Sequence, residues 1–90
     1  MSARHILSYY VEQAMEQAVY DKLENGTFFG RIPPCKGVHA ISNTLSGCRE
    51  ELRSVLEDWI LMGLKMRHSL PVIAGIDLNK EPARESVEAL

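Results

Sequence analysis

The sequence has little aromatic character, few cysteines and no long hydrophobic run. Only 7% of its 90 residues are aromatic and two are cysteine, so nothing in the composition demands a disulfide or a metal for folding. The longest apolar stretch, WILMGL at residues 59–64, is too short to span a bilayer, and no leader-peptide pattern opens the chain. We therefore expect a cytoplasmic protein with two reduced thiols.

Positive charge is not in excess either. Ten Lys and Arg residues stand against twelve Asp and Glu, for a net charge of −2, and no basic face is evident. This balance disfavours direct DNA binding. A hydrophobic fraction of 46% with 24% charged residues is typical of a globular protein, and we predict a single domain over residues 1–90, with a disordered start at 1–5 and a polar tail at 79–90.

The longest periodic segment covers residues 44–68 and predicts an amphipathic helix. Thr44 is suited to cap its first turn, and Pro71 prevents its continuation. The apolar stripe at steps of three and four consists of Leu45, Cys48, Leu52, Val55, Leu56, Trp59, Ile60 and Gly63. Towards its end the helix becomes apolar on several sides, which predicts burial by a second subunit, with cover by the tail of the same chain as the alternative. The predicted oligomer interface is Trp59, Leu61, Met62, Leu64 and Met66.

The remaining elements predict a small sheet. Residues 6–18 have helical spacing, whereas 19–24 and 27–32 are β-prone runs joined by Asn25-Gly26, which favours a hairpin with a type I′ turn. Residues 38–42 add a third strand, and residues 72–77 a fourth that returns to the sheet after the long helix. The predicted class is α+β: a three-stranded antiparallel meander and a returning fourth strand packed on one long helix, with a short N-terminal helix.

This order of elements resembles the HicB family of small antitoxin-like proteins, most closely the short forms with an extra N-terminal helix. The resemblance runs from about residue 8 to residue 77. The residues that carry it are YYVEQAMEQAVY at 9–20, FGRIP at 29–33, GVHA at 37–40, Thr44-Leu45, Cys48, Leu52 and LEDW at 56–59.

The resemblance implies a degenerate ribonuclease H-like fold, a homo-oligomer, and a HicA-type toxin as partner. Such a toxin is a small RNA-cleaving protein, and the antitoxin covers its active surface, which needs no catalysis or cofactor from the inhibitor. Many family members append a DNA-binding segment. Residues 78–90 are too short and too acidic to supply one, so we do not expect this chain to bind DNA directly.

A ribonuclease H-like fold raises an alternative function, a metal-dependent nuclease or an RNA-binding protein. Metal-dependent cleavage needs converging carboxylates, for which Asp21, Glu50 or Glu51, and Asp77 are the candidates. RNA binding would need an aromatic platform with basic neighbours. The candidate aromatic residues are Tyr9, Tyr10, Tyr20, Phe28 and Phe29. Solvated carboxylates and packed aromatic rings are the simpler interpretations.

Other chemistry has little support in the sequence. Cys35 and His39 lack two further ligands for a zinc site and a third group for nucleophilic catalysis. Gly26, Gly30 and Gly37 are interpreted as turn or bulge glycines and not as a phosphate loop. A loop at a sheet margin is a common recognition surface. The predicted partner-binding residues are Arg31, Lys36 and His39.

Overall fold

The computed structural model describes residues 3–79 and shows two helices and one antiparallel sheet in that range. The elements, in chain order, are α1 (Ala3–Glu16), β1 (Val19–Lys22), β2 (Phe28–Arg31), β3 (His39–Ser42) and α2 (Leu45–Lys65). The sheet order is β1-β2-β3 with antiparallel pairing throughout. The predicted α+β class, the three-stranded meander and both helices are confirmed. None of the helices in residues 3–79 combines the length and the apolar character needed to cross a bilayer.

The ends of the chain differ from the prediction. The first helix begins at Ala3, so disorder over residues 3–5 was wrong; once a helix is nucleated, each added residue gains a backbone hydrogen bond at little cost. Residues 1–2 of the predicted disordered start and residues 80–90 of the predicted polar tail lie outside the described residues.

Helix α2 lies against the sheet through the predicted stripe. Its buried residues are Cys48, Leu52, Leu56, Ile60 and Gly63. The predicted cap is confirmed, because the backbone N–H of Gly47 donates to Thr44 Oγ1 at 3.0 Å. At the other end Arg67 takes a positive φ of 59°, and the His68 N–H donates to the Gly63 carbonyl at 2.8 Å. These bonds satisfy backbone groups that a helix end leaves without partners.

The hairpin between β1 and β2 is present, but its turn is not type I′. That turn needs a positive φ at both central residues, whereas Gly26 has a φ of 90° and Asn25 does not have a positive φ. The Gly26 N–H donates to the Leu23 carbonyl at 3.0 Å, and the Leu23 N–H donates to the Thr27 carbonyl at 2.7 Å. The Asn25 side chain instead accepts from the Thr27 N–H at 3.0 Å, which favours a longer loop with glycine in the left-handed position.

The predicted returning strand at residues 72–77 was wrong. The N–H of Ile76 donates to the carbonyl of Ile73 at 2.8 Å, and the reverse bond is 3.2 Å, so the segment pairs with itself and not with the sheet. Ala74 and Gly75 between them have positive φ values of 52° and 79°, which reverses the chain. The segment still covers the core, because Ile73 is buried together with Leu70 and Leu78.

This reversal predicts a stabilising substitution, Ala74→Asn. Alanine in the left-handed region costs roughly 1 kcal/mol, whereas asparagine tolerates it and Asn-Gly is favoured in such turns. We expect Ala74→Asn to raise the free energy of unfolding by about 0.5 kcal/mol, measured by urea denaturation. Ala74→Val, which is β-branched, should lower it by about 1 kcal/mol. A valine variant as stable as the parent chain would contradict the turn.

Candidate partner-binding surfaces

The strand register divides the sheet residues between two faces. Tyr20, Gly30 and Ala40 stand opposite one another across the three strands. Gly30 and Ala40 are buried towards α2, where the Cys48 thiol donates to the Ala40 carbonyl at 3.5 Å. Because side chains alternate along a strand, the residues between them belong to the opposite, outer face. That outer face holds two cross-strand rows: Val19, Arg31 and His39, then Asp21, Phe29 and Ile41.

On the outer sheet face, Phe29 and Ile41 are apolar neighbours of the acidic Asp21 in one row, and Arg31 lies between Val19 and His39 in the other. Ile41 is 57% exposed, Phe29 is half-buried, and the centroids of the Phe29 and His39 rings are 5.9 Å apart. Arg31 stands opposite His39, and Lys36 is exposed in the reversal that joins their strands. The structure therefore brings the three predicted partner-binding residues to one end of the sheet. That they bind a partner stays a prediction.

Sequence reasoning missed the apolar part of this surface. The signal was present in Phe28-Phe29-Gly30-Arg31, where strand alternation puts Phe29 on the same face as Arg31 and Phe28 on the same face as Gly30. Phe28 does pack against the core. An exposed aliphatic side chain and a half-buried aromatic ring with an arginine beside them are typical of protein–protein contacts.

The end of α2 is a second exposed apolar surface. Leu61, Met62 and Met66 are 59%, 56% and 57% exposed, and Leu64 is 39% exposed. Trp59 differs from these four because it is half-buried and packs against the core of its own chain. Four of the five predicted interface residues are therefore available to another molecule, and oligomerisation itself stays a prediction.

A groove between α1 and α2 adjoins this helix end. Its volume is about 240 Å³. The residues that line it are Leu7, Ser8, Val11, Arg53, Glu57, Ile60 and Leu61. Arg53 and Glu57 lie one helical turn apart on α2, with Nε and Oε2 3.6 Å apart and both side chains about half exposed. The sequence had not indicated that α1 takes part in a surface beside Leu61.

The candidate metal-binding carboxylates do not converge. Asp21 lies on the outer sheet face, whereas Glu50 and Glu51 are exposed on α2, which packs on the inner face. Asp77 Oδ1 accepts from the Asn79 backbone N–H at 3.0 Å, which makes it part of a local turn. Across the described range, no group of three or more His, Cys, Asp or Glu residues is placed to hold a metal ion. The arrangement gives no support to two-metal cleavage.

The two thiols are core residues. Cys35 and Cys48 are both free and buried, and burial raises both pKa values, that of Cys35 to about 11. Both are therefore neutral near pH 7 and poor metal ligands or nucleophiles. His39 is exposed on the outer sheet face, so it does not join Cys35 in a site.

The five candidate platform aromatics are divided among different faces. Tyr10 is fully buried, its hydroxyl donates to the Pro71 carbonyl at 2.7 Å, and burial raises its pKa far above the ordinary range. Tyr20 and Phe28 also pack against the core, and Tyr9 is exposed on α1. Only Phe29 of the five lies on the outer sheet face, so the alternative of a common aromatic platform is not supported, and the preferred interpretation of packed rings is confirmed for Tyr10, Tyr20 and Phe28. Helical and strand periodicity send neighbouring residues to different sides.

These features define a small α+β protein with two helices, a three-stranded antiparallel sheet and exposed apolar surfaces. The model of the UPF0150-like family matches residues 9–71, which is well over half of the chain. The chain therefore belongs to the UPF0150-like family.

A solved structure confirms the arrangement at the level of the fold. The chain is similar to the crystal structure of TTHA0281 from Thermus thermophilus, with 31% sequence identity and a TM-score of 0.76. The similarity covers 81% of this chain and 91% of that chain. No curated protein matches the sequence.

Proposed function

We propose that this chain is a HicB-like antitoxin: a non-catalytic cytoplasmic protein that binds and masks a HicA-type RNA-cleaving toxin and acts as a homo-oligomer. Membership of the UPF0150-like family over residues 9–71 is compatible with this role, as is the resemblance of the ordered motifs to HicB proteins. On this proposal the two helices and three strands are a degenerate form of the ribonuclease H-like fold.

The observation that carries the proposal is the outer sheet face. Ile41 is exposed and Phe29 half-buried on the side of the sheet opposite α2, next to Arg31 and His39. Masking is steric, so the inhibitor needs a firm apolar contact and a polar rim and does not need catalytic groups. A rigid sheet presents such a contact with little loss of conformational entropy.

The test is co-expression with a HicA-type toxin. We expect the two proteins to co-purify and the toxin to lose its RNase activity. Ile41→Asp should weaken binding roughly 100-fold, because a charge at the centre of an apolar contact must be desolvated. The fold should survive, since Ile41 is 57% exposed. Val72→Asp is the matched control: Val72 is 59% exposed but lies outside the sheet, and this variant should inhibit normally.

Two outcomes would contradict the proposal. Failure of the parent chain to bind or inhibit any HicA-type toxin removes the antitoxin function. If Ile41→Asp inhibits the toxin as well as the parent chain does, the outer sheet face is not the toxin-binding surface, although the antitoxin function itself is not contradicted.

RNA binding is the competing function with one observation in its favour. The Phe29 ring lies beside His39 and shares the outer face with Arg31, a combination that sheet-type RNA-binding proteins use for stacking and phosphate contact. The RNA-binding function would be supported if the chain binds single-stranded RNA, if added salt weakens this binding, and if Phe29→Ala abolishes it. Absence of RNA binding at low salt would exclude it.

A further inference from the structure

The groove between α1 and α2 is an apolar depression beside exposed apolar residues. Leu7 and Val11 of α1 and Ile60 of α2 line it, and Leu61 lines the same groove while remaining 59% exposed. An apolar cavity of about 150 Å³ can hold a benzene molecule. With about 240 Å³, the groove has room for an aliphatic side chain from another molecule.

The charges in this groove are of opposite sign and lie one turn apart on the same helix. Arg53 and Glu57 both line it, and the 3.6 Å contact between them leaves each side chain about half exposed. In a two-fold contact both copies use the same patch. If residue i of the first copy contacts residue j of the second, then residue j of the first contacts residue i of the second. A patch with one cation and one anion is complementary to itself under that symmetry. A partner with charge of a single sign would be attracted by one of these residues and repelled by the other.

We infer that a second copy of this chain occupies the groove, with the two α2 helices antiparallel and crossing between Arg53 and Glu57, so that Arg53 of each copy faces Glu57 of the other. Two Arg53 and two Glu57 side chains then alternate in sign around the two-fold axis. Leu61 of each copy lies over the aliphatic part of Arg53 of the other, which is how long charged side chains cover apolar surface. This inference rests on the homo-oligomer in the proposed function and adds α1 and the charge pair to it.

Charge exchange tests this geometry directly. The parent chain should have a mass of about 20 kDa in light scattering, twice the 10.1 kDa of one chain. Arg53→Glu places four negative charges around the axis and Glu57→Arg places four positive ones, so each variant alone should be monomeric at concentrations where the parent chain is dimeric. An equimolar mixture of the two places two acidic side chains of one chain opposite two basic side chains of the other, and native mass spectrometry should show a heterodimer with one chain of each kind.

Asp58→Arg is the matched control. Asp58 is an exposed acidic residue on α2 that does not line the groove, so this variant should remain dimeric. Circular dichroism of all variants should show the same helix content, because Arg53 and Glu57 are both exposed.

Three results would overturn the inference. The first is a dimer that neither single exchange dissociates. The second is a pair of monomeric variants that do not assemble when mixed. The third is a parent chain that is monomeric in light scattering. None of these results depends on a toxin, so failure of the dimer and failure of the antitoxin function are separable.

Discussion

Leu52→Ala should lower the free energy of unfolding by about 3 to 4 kcal/mol, within the range for leucine truncations in well-packed cores. Leu52 is completely buried and lies in the middle of the α2 stripe, with Cys48 and Leu56 one turn away on either side. The α2 helix packs on both β2 and β3, so this side chain lies where helix and sheet share their core. A chain of this size has a total stability of roughly 5 to 10 kcal/mol, and the variant should lose a large part of it.

Urea denaturation followed by circular dichroism measures the effect. Leu45→Ala is the matched control, because it is the same substitution in the same helix at a residue that is 50% exposed. Its cost should stay below about 1 kcal/mol, since little apolar surface returns to water. Equal losses for Leu45→Ala and Leu52→Ala would show that the predicted burial along α2 is incorrect.

Gly30→Val should lower the free energy of unfolding by about 2 to 3 kcal/mol, although valine is favoured in strands. A Cβ atom at residue 30 would lie 3.0 Å from Cys48 Sγ and 3.0 Å from the Cδ1 and Cε1 atoms of Tyr20. Cys48 is fully buried and is held by α2. Tyr20 pairs with Gly30 across the strands and is only half-buried, so its ring can turn aside, whereas Cys48 cannot shift without moving α2.

A double-mutant cycle gives the control for Gly30. Cys48→Ala removes one of the two contacts, so Gly30→Ala should cost at least about 0.5 kcal/mol less in the Cys48→Ala background than in the parent chain. Additive losses would show that the helix does not approach the sheet closely at Gly30. The interpretation of Gly30 as a turn or bulge glycine was wrong, because it lies inside β2 with an ordinary strand register on both sides.

Local patterns predicted much of the fold correctly. The apolar stripe and Thr44 predicted α2 and its capped start, because helix periodicity and capping depend on residues within a few positions of one another. The β-prone runs likewise predicted the meander of β1, β2 and β3. The ordered motifs indicated a HicB-like protein, and the match to the UPF0150-like family over residues 9–71 is compatible with that resemblance at a coarser level.

The prediction of a fourth strand failed because a short segment can adopt two local conformations. Residues 72–77 are β-prone enough for a strand, but Ala74 and Gly75 adopt positive φ values and the segment turns back on itself. In that form Leu70 and Ile73 reach the core and Tyr10 bonds to the Pro71 carbonyl. Periodicity does not distinguish these outcomes, since one deciding contact comes from Tyr10 of α1, 61 positions away in the sequence.

For the candidate surfaces too, the sequence determined some features and the tertiary structure decided others. The sequence by itself determined that one helix has a buried stripe and an end with surplus apolar residues, and that Arg31, Lys36 and His39 lie near one another along the chain. Only the tertiary structure decided that Phe29 and Ile41 share a face with Arg31 and His39. It also decided that Leu7 and Val11 line one groove with Ile60 and the Arg53 and Glu57 pair. The physical reason is that helix and strand periods assign side chains to a face of their own element, whereas packing and cross-strand register determine which faces of different elements meet.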